Sequence, residues 1–550
     1  MVKRGGKNTQ NLIKNDSGIS TENSSVGVSL FFIYICRPKP PVMKKTALLL
    51  ILCLLVLSLQ AQKHPPKEKP ADPPAPYGPV PTPAQVAWQR MEMNLFCHFG
   101  PNTFTGLEWG EGTEAEDIFN PTALDCDQWV SVAKNAGFQG IILTAKHHDG
   151  FCLWPNPQST HTVRESAWRN GKGDVLRELS DACKKGGVKF GIYISPWDRN
   201  APTYGTNAYN KVFLKTLRHA HTHYGPIFEQ WFDGANGEGP NGKKQVYDWE
   251  KFNAQTKKLQ PNAVIFSDVG PGCRWVGNEE GKCGRTCWSR LNVEGYTPGA
   301  GSPSQDTLNA GNYSGACWIP AETDVSIRPG WFWRENEHPK SVQELLKIYY
   351  NSVGRNSLLL LNVPPDSRGL IPAEDSLRLM EFRAALDTIF AHDLAKNIRN
   401  ICVSNFRRVY EPDHTGNCYS WRNTVFIEPC CGFSVIDDDY DTYWATDDSV
   451  TTAWLEIQFS QPKTFNRVML QEYIPLGQRV EKFHVEVEDE NGQWRTIAEE
   501  TTIGYKRIVL TETVTTKKVR IVIDKSRACI VLNRVGLFMD NILEEVPDQH

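Results

Sequence analysis

The chain lacks an excess of either charge. Its 60 Lys and Arg stand against 63 Asp and Glu, a formal net charge of −3, and so it lacks the basic excess that a nucleic-acid backbone attracts. It also lacks an apolar run able to span a bilayer, which takes roughly 20 residues; the run at 46–59 is shorter. No glycine-rich phosphate loop follows the first strand-like stretch, where His98-Phe99-Gly100-Pro101-Asn102 stands, and that disfavours a nucleotide-binding doubly wound sheet. A regular cysteine framework is missing too. The 15 cysteines are scattered, and several, such as Cys97 and Cys152, sit in apolar runs as small buried hydrophobes do. Cys273, Cys283 and Cys287 form the one cluster; without tight pairs or a nearby His it favours a disulfide over zinc.

What is present begins with addressing. Met43-Lys44-Lys45 is a basic start, 46–59 an apolar core, and Leu59-Gln60-Ala61 a small-residue cleavage site, the pattern of a secretory signal peptide over 43–61. Because such signals stand at the N-terminus, translation is expected to start at Met43, with 1–42 an over-extended reading frame. The expected location is periplasmic or extracellular, with no membrane span in the mature chain. A Pro-rich linker follows at 62–84. Aromatics reach 11% of the chain, with 17 Trp, a lean toward carbohydrate, whose apolar C–H faces stack on indoles.

From 85 to 392 strand-like runs alternate with amphipathic stretches. Strands are expected at 94–99, 140–146, 188–195, 226–232, 263–268, 316–319 and 358–363, with helices at 125–135, 174–185, 210–224, 248–259, 341–351 and 373–390. Such alternation predicts an irregular (β/α)8-like barrel with long loops in 270–314. The stretch Phe228-Glu229-Gln230-Trp231-Phe232 ends abruptly on Asp233-Gly234, which places Asp233 at a strand's C-terminal end, the rim where such barrels do chemistry. His98, His147, His148, Trp154, Trp197 and Asp268 are expected on the same rim. His147 and His148 are adjacent and should point in different directions if they lie on a strand, which disfavours joint metal chelation. The set suits a polyhydroxylated ligand. Glycoside cleavage needs two carboxyl groups, about 5–5.5 Å apart for a retaining enzyme; Asp233 is one, and the Gly-rich loop carrying Glu279 and Glu280 offers the other.

Residues 90–390 resemble glycoside hydrolase family 29, the α-L-fucosidases. The matching stretches are Phe96 to Gly100 with Glu108-Trp109-Gly110, Thr144 to Phe151, Tyr193 to Trp197, Trp231-Phe232-Asp233-Gly234 and Gly330 to Trp333. The resemblance implies a retaining exo-α-L-fucosidase with Asp233 as nucleophile. Arg274-Trp275-Val276-Gly277-Asn278-Glu279 resembles the stretch that carries the acid/base in the branch acting on α-1,3/1,4-linked fucose, which makes Glu279 the acid/base with Glu280 its competitor. Sugar binding would fall to His98, Glu108, Trp109, His147, His148, Trp154, Tyr193, Trp231 and Trp331, with no cofactor and a fucosylated oligosaccharide or glycoconjugate as partner. Phe99 departs from the family, which has Trp after the His. Two other readings remain: a catalytically inactive fucosyl-glycan-binding protein, and a different retaining exo-glycosidase.

From 393 to 550 the pattern changes to alternating strands without helices, at 454–459, 466–470, 483–487, 505–510 and 518–523, the signature of an antiparallel β-sandwich. With the stretch 435–446 it resembles the discoidin or factor 5/8 type C module, a galactose-binding-like jelly roll. The acidic run Asp437-Asp438-Asp439 with Asp441 is either a structural Ca2+ loop or a turn, and the module either binds sugar or packs on the barrel.

Overall fold

The computed structural model describes residues 72–396, 398–407 and 431–543. The segments expected as over-extension (1–42) and signal (43–61), and the linker up to residue 71, lie outside the described residues. None of the described helices is long and apolar enough to cross a membrane.

Eight parallel strands close into a barrel: β1 Met93–Cys97, β2 Gly140–Lys146, β3 Lys189–Ile194, β4 Glu229–Trp231, β5 Val264–Ser267, β6 Cys273–Trp275, β9 Ala321–Ser326 and β10 Ser357–Asn362. β7 (Arg290–Leu291) and β8 (Cys317–Trp318) form a separate antiparallel pair. Side chains alternate across each strand. Phe96, Ile142, Tyr193, Trp231, Phe266 and Leu360 fill the interior, while Leu95, Ile141, Ile192 and Leu361 pack outward against the helices. Those helices start where the sequence supplies oxygen caps: Asp125, Asp174 and Asp248 accept from the backbone N–H three residues on, and Ser341 forms a capping box with Glu344.

The later half corrects the sequence reading. The strand expected at 316–319 contributes only to the β7–β8 pair; the barrel strand there is β9, which begins at Ala321 and carries Glu322 and Asp324 into the lumen. The sixth barrel strand is the three-residue β6, too short for a periodic signal. The expected disulfide is also overturned, because every described cysteine is free. Cys273 points into the barrel toward Glu229, whereas Cys283 and Cys287 pack outside it with Val276 and Ala321.

Beyond the barrel helix Ala373–Phe390 lies an antiparallel domain of β11 Ile398–Val403, β12 Trp444–Ala445, β13 Ala453–Glu472, β14 Val480–Glu488, β15 Trp494–Glu500, β16 Arg507–Ser526 and β17 Val531–Phe538. The long β13 and β16 pair along most of their length with two shifts of register, and the fold encloses a core of Leu455, Ile457, Val468, Phe483, Ile521 and Val535. It docks on the barrel through apolar side chains, Met469, Ile508 and Phe538 joining the cluster behind the barrel strands, and through polar groups: Gln478 donates to the Cys287 carbonyl at 2.9 Å, the Tyr505 N–H donates to Asn356 Oδ1 at 2.7 Å, and Tyr350 donates to Asp540 at 2.8 Å.

Candidate active site

Strand ends and the loops beyond them surround a cavity of about 360 Å3 at the C-terminal mouth of the barrel. Asp233 stands just past β4, after Phe232. Its Oδ1 accepts from the Ala235 N–H at 2.7 Å and its Oδ2 from Tyr193 at 3.1 Å. Gly234 is required here, because a Cβ would sit 2.1 Å from Asp268 Oδ1. Burial raises the proton affinity of Asp233, and the Ala235 N–H and Tyr193 hydroxyl partly restore the carboxylate.

Three imidazoles face it. His98 Nδ1 lies 2.9 Å from Asn362 Oδ1, while the Asn362 amide nitrogen donates to Ser326 and to the Trp331 carbonyl. Asn362 Oδ1 therefore accepts, His98 carries its proton on Nδ1, and Nε2 is left as an acceptor. His148 Nδ1 is 2.8 Å from Ser195 Oγ, whose hydroxyl donates to the Trp197 carbonyl at 3.0 Å. His148 is fixed in the same tautomer, with Nε2 3.6 Å from Asp233 Oδ2. Burial, aided by neighbouring cations, pushes His148 down to about 3, and burial likewise pushes His98 to about 3. His147 is shifted in the same direction by burial and by the adjacent imidazoles, and its Nδ1 has no partner. Beneath them buried Lys146 donates to the carbonyls of Ser195 and Trp197, both at 3.0 Å, and pairs with Asp198 at 3.2 Å.

The expectation that His147 and His148 diverge is corrected: their ring centroids are 4.2 Å apart and both line the cavity. β2 ends at Lys146, so both histidines lie in the following turn, where strand alternation no longer applies. The turn then reverses at Gly150, with φ +89°. Trp154 is a second correction. The reversed chain carries it into the helix layer, where it is fully buried and its indole donates to His219 Nδ1 at 3.1 Å, away from the cavity.

Opposite Asp233, the loop after β6 brings Glu279 to the exposed mouth. Its Oε2 accepts from the Trp331 indole at 3.0 Å. Partial burial, then the charges of Asp233 and Glu108, raise its proton affinity against the pull of that indole. Glu280, one residue on, is exposed and does not line the cavity. Glu108 pairs with Arg334 and accepts from the Trp331 backbone N–H, which ties the loop after β1 to the loop after β9. Trp109, Trp231 and Trp331 line the walls; Tyr193 lies under Asp233. Phe99 packs on Phe119 and Trp129 in the helix layer, so the departure at this position leaves the cavity untouched.

Sequence reasoning missed Asp324 and Phe266, which also line the cavity. It also missed the lumen pair beneath: Glu229 accepts from the Trp88 indole at 2.7 Å and Glu322 from the Trp231 indole at 2.9 Å. With Cys273 they bring three potential ligand atoms within 4.8 Å, the one such group among the described residues. Both glutamates already take indole donors and both are pushed toward protonation by burial, the behaviour of two carboxyls sharing a proton.

A cavity lined by neutral imidazoles, indoles and carboxyl groups, Asp233 and Glu279 among them, has the groups to bind a sugar and to transfer protons. The family model for alpha-L-fucosidase matches residues 77–387. The chain belongs to the alpha-L-fucosidase family. This fucosidase is 42% identical to alpha-L-fucosidase 1 of Arabidopsis thaliana over 470 residues, 85% of this chain and 89% of the relative. A Ruminococcus gnavus GH29 fucosidase solved in complex with fucose superposes with a TM-score of 0.78 at 31% identity, covering 86% of this chain and 98% of that one. A glycoside hydrolase 29 family member from an unknown rumen bacterium gives 0.72 at 39%, covering 86% and 79%. The second domain of the fucosidase matches a NedA-like, galactose-binding domain over 434–521. Its acidic run is tied internally: Asp438 bonds Lys396 and Arg534, and Asp437 accepts from the Asp439 N–H and Thr442 hydroxyl.

Proposed function

We propose that this alpha-L-fucosidase is a retaining exo-enzyme that releases terminal α-1,3/1,4-linked L-fucose from glycans by double displacement. The observation that carries the reading is the placement of Asp233 and Glu279 in one cavity, each held by a neutral donor, Tyr193 and Trp331. Asp233 attacks the anomeric carbon while protonated Glu279 gives its proton to the leaving oxygen. Ionised Glu279 then takes a proton from the water that displaces Asp233. The two roles match the environments. Asp233 receives two hydrogen bonds that favour its charge, whereas Glu279 has one indole, and burial followed by the charges of Asp233 and Glu108 raises its proton affinity. His98 and His148, uncharged with Nε2 lone pairs available, suit sugar hydroxyl donors.

The linkage preference rests on Arg274-Trp275-Val276-Gly277-Asn278-Glu279. Arg274 is fully buried and donates to the carbonyls of Leu308 and Ile319, so this stretch presents Glu279 from a fixed base. Export rests on the signal-like segment 43–61, and the secreted protein is expected to begin after Ala61. The deciding experiment follows the product by NMR during hydrolysis of an aryl α-L-fucoside: α-fucose appears first if the reaction retains configuration, and β-fucose first overturns the proposal. Fucose release from a Lewis-type trisaccharide, compared with an α-1,2-linked substrate, tests the linkage.

A further inference from the structure

Five carboxylic side chains line the cavity: Glu108, Asp233, Asp268, Glu279 and Asp324. No Lys or Arg lines it with them, and the three histidines there are neutral. Like charges gathered in a partly dry cavity raise one another's proton affinity until at least one stays protonated. Four of the five have means to remain ionised or reach water. Glu108 has the Arg334 guanidinium. Asp268 accepts from Ser302 at 2.6 Å and the Gly299 N–H at 3.4 Å. Asp233 has the Ala235 N–H and Tyr193, and Glu279 stands exposed at the mouth.

Asp324 has no cation beside it among the residues that line the cavity. It is 3% exposed, and the side-chain donor that reaches it is the Trp275 indole, 2.9 Å from Oδ1. The charged groups that act on it most strongly are carboxyls, Glu279 on the loop after β6 and Asp233 beyond β4, with Glu322 below it on β9, against the pull of a backbone hydrogen bond and the Trp275 indole. We infer that Asp324 is held as a neutral acid and serves as a third working carboxyl of the site, donating a hydrogen bond to an oxygen of the bound sugar. Burial first, and then the charges of Glu279 and Asp233, push its proton affinity well up, in keeping with that geometry. Asparagine has the same shape, offers an N–H donor and cannot ionise, so it mimics the neutral acid and not the carboxylate. The inference rests on the cavity being the fucose site.

The test compares Asp324→Asn with Asp324→Ala on an aryl α-L-fucoside across pH, alongside Tm measured at several pH values. Loss of one preorganised donor predicts a fall in kcat/KM of about 100-fold for the alanine variant and about tenfold or less for asparagine. If Asp324 ionises at the alkaline end of the wild-type profile, that limb moves to higher pH in the asparagine variant. A folded-state proton affinity raised above the unfolded one makes wild-type stability fall as pH rises past the ordinary carboxyl range, so asparagine raises Tm more at about pH 8 than at about pH 5. Equal activity losses in both variants, with the alkaline limb unmoved and a Tm difference independent of pH, overturn the inference. If the alanine variant does not fold, the Tm arm with asparagine still decides. Azide rescue of Asp233→Gly reports separately on the nucleophile: its failure removes that assignment and leaves the Tm result intact.

Discussion

The barrel lumen and the antiparallel domain both bury carboxylic acids, and they partner them in opposite ways. Inside the barrel and at its mouth the partners are chiefly neutral: Trp88 on Glu229, Trp231 on Glu322, Trp275 on Asp324, Trp331 on Glu279 and Tyr193 on Asp233. In the antiparallel domain they are chiefly guanidinium groups: Arg467 on Asp540 at 2.8 Å, Arg520 on Glu456 at 2.8 Å and Arg534 on Asp393 at 2.6 Å, with Glu472, held by the backbone N–H groups of Arg479, Val480 and Gly504, the exception. Outside the lumen the barrel follows the second pattern as well, with Arg328 on Asp375 at 2.8 Å. A guanidinium fixes a carboxylate as charged and thereby holds parts together. An indole N–H satisfies one oxygen without cancelling the charge, so the group keeps a high proton affinity and can carry or give up a proton. The lumen is thus arranged for proton chemistry, and the remainder for attachment.

The contrast can be broken most severely at Asp233. Replacement by glycine is expected to lower kcat by about 10⁴-fold or more, with azide restoring turnover as fucosyl azide and with Tm close to wild type. A variant that stays active moves the nucleophile elsewhere. Next comes Glu279→Gln, expected to lose about 10²–10⁴-fold on natural glycans and much less on fucosides with an activated leaving group, which need no proton. Equal losses on both substrates point to another acid. On the other side of the comparison, Asp540→Ala strands Arg467 and unties Tyr350, an expected destabilisation of about 3–5 kcal/mol. Calorimetry reads it as a lower Tm, and kcat below the transition should not change.

A smaller effect concerns His148. Its proton affinity is lowered from 6.5 to about 3 in the folded protein. Between those values the unfolded chain binds the extra proton and the folded one does not, so stability falls as pH drops through this window. His148→Gln should flatten that part of the Tm–pH curve, and an unchanged slope would show that other groups set it. Smallest is Glu280→Gln, an exposed change expected to alter stability by less than about 0.5 kcal/mol. A large activity loss there would reopen the choice between Glu279 and Glu280.

Legibility from sequence followed length and regularity. β2, β3 and the helices Cys126–Asn135 and Val175–Gly186 have enough residues for periodicity and caps to mark them. The three-residue β6 does not, and β9 misleads because Ala321-Glu322-Thr323-Asp324 alternates polar residues toward what is normally the apolar side. Asp324 was invisible for that reason: an acid on a strand reads as solvent-facing unless the strand is known to close a barrel. His147 and His148 failed differently. They lie past the end of the strand, where alternation no longer holds, and the turn brings both rings to one wall. Trp154 lay near the motif in sequence, yet the reversal after Gly150 took it to the helices.

By itself, then, the sequence determined the order of the two domains, the strand end that carries Asp233 and the family's motifs, because these depend on local pattern and on residue types a few positions apart. Only the tertiary structure decided which acids share the cavity and what faces each of them. Proton affinity depends on burial and on charges contributed by distant strands, and no run of adjacent letters records which strand will become its neighbour when the barrel closes.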